Sequence, residues 1–332
     1  MNSNSFKTRA LGLCSGGLDS ILSALVLKKQ GIHVEWITFE TPFFSSEKAK
    51  TASEKYRISL IVENITPVYL KMLKNPKCGY GKHMNPCLDC HALMFRMAGE
   101  FLKNMGFDFV FSGEVLGQRP MSQTKQSLRY VEKNSGLEGY ILRPLSALNL
   151  SSTIPEEKGL VARNQLLDFK GRSRKHQIEL ADQLNVTGYP APAGGCLLTD
   201  RGYSRRLKDL FDHQETYMEN ELHLLKFGRH FRIDKQTKII VGRTKTDNEN
   251  ILKHIDSEKD FLINVKNFPG PVVIISSSCS HDNLILAASI CAGYSKAPND
   301  EPVFVTVENA KSKHTLTVTA IQPETVKVHL LS

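Results

Sequence analysis

Cys14-Ser15-Gly16-Gly17-Leu18-Asp19-Ser20 is the stretch whose reading decides the fold. Upstream of it, residues 8–13 form a short apolar-rich run that ends at the glycine turn. Downstream, Ile21, Leu22, Leu25, Val26 and Leu27 recur at helical spacing up to Lys29, and Gly31 stops the helix. Residues 33–39 then read as a second strand. Strand, glycine turn, helix, strand is the opening of a parallel α/β sheet. The alternation continues with a helix over 46–56, a strand over 58–62, a helix over 90–105 and a strand over 107–111. About five parallel strands with helices on both faces are expected, a Rossmann-like α/β fold.

The texture changes after about Thr153. A helix is expected over 173–184, followed by a Gly- and Pro-rich run over 186–198. We expect a first domain over residues 1–213, a connector helix over 214–225 and a smaller α+β domain over 226–332. Six strands are expected in the last domain: 230–233, 238–241, 271–275, 303–307, 315–321 and 326–330.

The 332 residues are 41% hydrophobic and 23% charged, the balance of an ordinary globular protein. No signal peptide is read at the start, and the least polar stretch, 270–293, is broken by polar residues, so a cytoplasmic, membrane-free protein is expected. The net charge of +9 favours a polyanionic partner, of which nucleic acid is the commonest. Seven cysteines, an odd and unevenly spaced set, fit a reducing compartment with metal-bound or catalytic thiols better than a disulfide framework.

The glycine turn has the chemistry of a phosphate cradle. Gly16 and Gly17 lack Cβ atoms, so backbone amides can approach an anion, and the helix that follows adds its positive end. Ser15 and Ser20 offer hydroxyl donors, whereas Asp19 suits a phosphate site only if Mg²⁺ bridges it to the nucleotide. The string Ser15-Gly16-Gly17-Leu18-Asp19-Ser20 resembles the signature of the PP-loop ATPases, whose adenine nucleotide α hydrolase-like fold carries thiolases, synthetases and ligases. The resemblance implies cleavage of ATP to AMP and pyrophosphate, with adenylation of a substrate oxygen. It also implies ATP contacts from Cys14, Thr38 and Phe39 as well as from the loop.

Asn85-Pro86-Cys87-Leu88-Asp89-Cys90 places two thiols at a helix start, where the helix dipole favours thiolates. Cys196 lies far downstream, after Gly194-Gly195 in a loop expected to be tight and exposed. These residues resemble the MnmA-like and ThiI-like tRNA thiolases. The resemblance implies tRNA as acceptor, Asp19, Cys87, Cys90 and Cys196 as catalytic residues, and a sulfur donor that is either sulfide or a cysteine desulfurase relay. Some thiolases hold a 4Fe–4S cluster on three cysteines, and Cys87, Cys90 and Cys196 would be its ligands here. A cysteine persulfide resolved as a disulfide is the competing route, and zinc on the three cysteines with Cys78 or His91 is a purely structural alternative. No THUMP or rhodanese pattern is evident, so a persulfide from the protein's own rhodanese is not expected. A homodimer is left open.

Ser112-Gly113-Glu114 follows a strand at its C-terminal edge, where open α/β sheets bind ligands, and resembles a thiolase stretch beside ATP in which histidine stands at the glutamate's place. Arg172, Arg174 and Lys175 open one helix, and Arg201, Arg205 and Arg206 follow Cys196; both clusters are expected to meet tRNA phosphates. Residues 227–232, 238–244 and 248–250 resemble the NFACT-R domain, which is linked to RNA binding. Two rival functions stay open: a PP-loop ligase or amidotransferase acting on a small molecule, and a non-catalytic RNA-binding factor.

Overall fold

The computed structural model describes residues 8–191 and 196–331, which fall into two compact units, Met1–Cys196 and Leu197–Ser332. In the first unit, β1 (Arg9–Leu13), β2 (His33–Glu40), β3 (Leu60–Asn64), β4 (Phe109–Ser112) and β5 (Ile141–Leu142) form one sheet. Every pairing is parallel and the order is β3-β2-β1-β4-β5. This is the expected Rossmann-like sheet of five strands. The chain runs outward from β1 through β2 to β3, then returns to lay β4 on the other side of β1. Between β1 and β4 lies the point where the winding reverses, and open α/β sheets bind ligands at the carboxyl ends of such strands.

The flanking helices are α1 (Leu18–Lys29), α2 (Glu47–Tyr56), α3 (Thr66–Lys74), α4 (Cys87–Met105), α5 (Lys125–Ser135), the short α6 (Ile154–Glu157) and α7 (Lys175–Gln183). Central strands are buried on both faces, so Ala10, Leu11, Trp36 and Phe109 are all fully enclosed. Leu18, Ile21 and Leu22 of α1 join Trp36, Phe111 and Ala181 in one core, which fixes where the glycine turn ends and the helix begins.

The second unit holds α8 (Arg201–His213), α9 (Glu219–Leu224), α10 (Lys245–His254), α11 (His281–Gly293) and α12 (Pro323–Val326). Its strands are β6 (Arg229–Arg232), β7 (Lys238–Val241), β8 (Asp260–Val265), β9 (Val273–Ser276), β10 (Val303–Glu308) and β11 (Lys313–Val318). They form an antiparallel sheet in the order β11-β10-β8-β9-β7-β6. Side-chain alternation splits this sheet between two cores: Ile239 and Val241 face α11, whereas Ile240 packs with Leu224 of α9 and Ile251 of α10. Residues 326–330, expected as a strand, instead continue the turn of α12 into a short 3₁₀ helix. α8 packs within this unit, where Asp209 accepts from Arg232 at 2.7 Å. Among the described residues no helix is long and apolar enough to cross a membrane.

Candidate active site

The turn after β1 sits at the reversal point. Gly16 adopts φ +70°, and a Cβ there would lie 2.2 Å from the backbone of Lys48 at the start of α2. Only glycine fits this position. The Gly16 N–H meets the Cys14 sulfur at 3.4 Å, and the Gly17 N–H donates to Ser15 Oγ at 3.3 Å. Gly17 is the N-cap of α1 and brings no side-chain acceptor, so the first amides of the helix keep their capacity for an anion. The helix therefore starts at Leu18, and Asp19 and Ser20 lie inside its first turn. The Ser20 hydroxyl donates to the Gly17 carbonyl at 2.8 Å, bracing the turn from within. Burial pushes the Cys14 thiol up to about 11 against the bonds from Gly16 and Ser20, so it is a neutral packing group near pH 7.

β4 delivers the opposite wall. A Cβ on Gly113 would lie 2.4 Å from the Asp19 carbonyl carbon, so this glycine lets the strand end press against the turn. Ser112 is buried beside it, and Thr38 and Phe39 are buried at the carboxyl end of β2.

Asp19 is the focus of a polar chain. Gln118 Nε2 donates to Asp19 Oδ2 at 2.9 Å, and Gln177 Nε2 of α7 donates to Gln118 Oε1 at 3.3 Å. Three buried atoms around this chain, Asp19 Oδ1, Gln177 Oε1 and Arg174 Nε, have no hydrogen-bond partner. Burial raises the Asp19 pKa, opposed by the Gln118 bond and by the charges of Arg174 and then Arg119. Unpaired polar atoms of this kind are rare in folded proteins, and here three of them cluster around one carboxylate. Gln118 and Arg119 close the stretch 111–119 that the sequence places at the ligand edge, without a role of their own there, and Gln177 carries no motif. Of the first basic cluster, Arg172 and Lys175 are exposed while Arg174 is half-buried and acts on Asp19.

The cysteines converge. Cys87 is the first residue of α4, with Pro86 as its N-cap. The thiols of Cys87 and Cys196 both act electrostatically on Cys90, and all three act on the buried Tyr69 hydroxyl of α3. That hydroxyl has no hydrogen-bond partner of ordinary geometry. Cys196 Sγ lies 4.0 Å from the Phe43 carbonyl, and the Phe43 and Phe44 rings flank Tyr69 at 5.5 and 5.3 Å. All three cysteines keep partial solvent access. Burial pushes the Cys90 thiol up to about 12, with Tyr69 pulling the other way. Among the described residues no group of three or more His, Cys, Asp or Glu side chains is arranged to hold a single metal ion. The glycine loop ahead of Cys196, residues 192–195, lies outside the described residues.

Glu114 joins the two halves. It accepts from Arg143 Nε at 3.0 Å, from Ser112 Oγ at 3.2 Å, and pairs with His91 Nδ1 at 2.9 Å. Burial alone would raise its pKa, but the Arg143 charge and the His91 bond overcome that and hold it at about 2. His91, next to Cys90, is thus engaged through Nδ1 with the strand end that touches Asp19. Cys78 gives its N–H to Asp89 at 2.8 Å.

In the second unit, Arg201 and Arg205 are exposed on α8. Arg206 is half-buried and donates to the Leu225 carbonyl at 2.8 Å, with its pKa lowered by burial and by Arg243. It braces α8 against α9.

Two family models match the chain. Residues 6–156 match the thiamine biosynthesis protein ThiI, and residues 228–330 match the NFACT protein RNA-binding domain. A probable tRNA sulfurtransferase of Finegoldia magna is 32% identical over 155 residues, 44% of this chain and 38% of its own. The namesake from Staphylococcus epidermidis is 29% identical over 160 residues, 46% of this chain and 38% of its own. A solved 4-thiouridine synthetase in complex with RNA and ATP is 20% identical, with a TM-score of 0.36, covering 54% of this chain and 52% of that one. The aligned region therefore spans 38% of the length of these curated relatives.

Proposed function

From a ThiI match over residues 6–156 and an NFACT RNA-binding match over residues 228–330, we propose that this protein is an ATP-dependent tRNA uridine thiolase. One observation carries the reading: the glycine turn and the cysteine trio are joined through Gly113, Glu114 and His91 at one sheet edge. A phosphate-binding turn alone would serve any adenylating enzyme. A turn coupled to three converging thiols serves one that transfers sulfur.

The amides of Gly16, Gly17 and the first turn of α1 receive the pyrophosphate portion of ATP, and Arg174 and Arg119 supply positive charge as it leaves. The unpartnered Asp19 Oδ1 suits Mg²⁺, which would neutralise phosphate charge. The uridine carbonyl oxygen attacks the α-phosphorus, pyrophosphate departs, and the nucleobase is left as an adenylate. Sulfur then attacks the activated carbon and AMP leaves with the oxygen. The rings of Phe43, Phe44 and Tyr69 beside the thiols give that side an apolar surface, which would limit water at that carbon.

Three thiols in one neighbourhood fit the ligand set of a 4Fe–4S cluster with one iron left open, which would carry sulfide. Cys87, Cys90 and Cys196 would be the ligands. Persulfide exchange needs two thiols, so a third in the same neighbourhood favours the cluster route. The test is anaerobic purification, a visible spectrum and iron analysis, with Cys87→Ala, Cys90→Ala and Cys196→Ala beside the parent. We expect a brown protein whose colour and tRNA thiouridine formation are lost together in each variant. Colourless protein with full thiolation would move the sulfur to a persulfide. Pyrophosphate release that ignores both tRNA and the three substitutions would instead mark a small-molecule ligase.

A further inference from the structure

A cavity of about 450 Å³ lies beside β5, between α5 and residues 147–153. Its volume is within the range of small-ligand sites. Lys125, Arg129 and Arg143 line it, with Glu132 and Glu156 as the acids. Glu156 is already held by Arg163 and by the Thr153 N–H, and Glu132 by Arg143. Arg129 in turn pairs with Glu138 and, at 3.8 Å, with Glu132, so among the described residues Lys125 is the lining cation without a carboxylate.

Arg143 is 2% exposed, and its guanidinium is only partly used. Nε donates to Glu114 and Nη1 to Glu132, which leaves Nη2 buried without an acceptor. Buried donors are almost always paired, and a buried cation more so. An anion oxygen is the acceptor such a nitrogen lacks. Ser151 and Ser152 also line the cavity, and Leu128 and Ile141 give it an apolar floor. A cationic corner, two hydroxyl side chains and an apolar floor suit a ligand with one negative charge, sugar-like hydroxyls and a flat organic group.

We propose that this cavity binds a phosphate ester of nucleotide size, its phosphate held by Arg143 with Lys125 and Arg129. The site is separate from the Asp19 turn and does not depend on the thiolase reading. The same chemistry is offered by a free nucleotide and by one unstacked nucleotide of an RNA strand.

The test is calorimetric titration of the full-length protein, its glycine turn first filled with a non-hydrolysable ATP analogue. Uridine monophosphate, inorganic phosphate and a short single-stranded oligouridylate are the probes. Arg143 is braced against Glu114, so the variant is the surface pair Lys125→Ala/Arg129→Ala, with circular dichroism confirming the fold. Saturable binding of uridine monophosphate or of the oligouridylate, weakened about tenfold or more by the pair, supports the site. Binding of the oligouridylate alone assigns the ligand to RNA, and binding of the monophosphate assigns it to free nucleotides. Absence of saturable binding, binding untouched by the pair, or binding of inorganic phosphate without gain from the nucleoside overturns it.

Discussion

Glu114 has surroundings that its motif does not reveal. The sequence places it after a strand at the ligand edge, and a direct contact with ATP is the natural expectation from there. In the fold it is a buried anion between Arg143 and His91. Its pKa of about 2 stands below the ordinary 4.5, so the folded state holds the proton more weakly than the unfolded chain. The stability it contributes is complete above about 4.5 and lost as pH falls toward 2. Glu114→Gln removes one of the two carboxylates that pair with the buried Arg143 and leaves Glu132 as the other, a loss on the order of 2 kcal/mol. Urea melts at pH 7 should show that loss, and the gap between parent and variant should narrow as the pH is lowered from 5 to 3. A constant gap across that range would mean that the carboxylate charge is not what stabilises this edge. The network itself could not be read from sequence: Glu114, His91 and Arg143 lie on three elements, and no spacing rule connects them. The same holds for Gln118 and Gln177, 59 positions apart, whose link to Asp19 exists only after α7 has packed.

At the scale of elements, the junction between β4 and the first turn of α1 is the most sensitive point of the proposed nucleotide site. Gly113→Ala would drive a Cβ to 2.4 Å from Asp19 backbone, and no side-chain movement can relieve a backbone contact. The turn must shift, and Asp19 with it. We expect the fold to persist by circular dichroism while the KM for ATP rises about tenfold or more, in line with the sensitivity of positioned groups to displacements near 1 Å. An unchanged KM would show that the turn does not bind the nucleotide where Asp19 now lies. β1, α1 and β2 were legible because their apolar patterns are long and a glycine turn punctuates them. β5 was not, since Ile141-Leu142 offers two residues and no periodicity. α11 escaped for the opposite reason: His281–Gly293 is buried against the sheet over much of its surface, so its apolar residues do not form a one-sided stripe. Val326, Val328 and Leu330 alternate like a strand, yet Pro323 fixes a helical start and Val328 ends 83% exposed. The cysteine trio sits between these cases. Its members were visible as cysteines, but that residues 87, 90 and 196 share a neighbourhood with Tyr69 is a product of tertiary packing.

On the scale of the whole molecule, the charge excess of nine and the NFACT match point to the same kind of partner. Attraction to a nucleic acid backbone comes largely from the release of condensed cations, so affinity should fall steeply with salt. For RNA the logarithm of the affinity should decline linearly with the logarithm of salt concentration, with a slope set by the number of phosphates neutralised. The exposed pair Arg201 and Arg205 on α8 can be separated in this way from Arg206, which braces the helix from a half-buried position. Arg201→Ala/Arg205→Ala should weaken tRNA binding at low salt and reduce the slope by roughly 1–2, since each lost phosphate contact removes about 0.7–0.9 from it. Arg206→Ala should lower the unfolding temperature, because a buried bond to the Leu225 carbonyl is lost along with packing. Filter binding of tRNA from 50 to 300 mM KCl, beside thermal melts of the same variants, reads both effects. A slope that stays at the parent value in the Arg201/Arg205 variant would remove α8 from the RNA contact surface and leave the charge excess to act elsewhere.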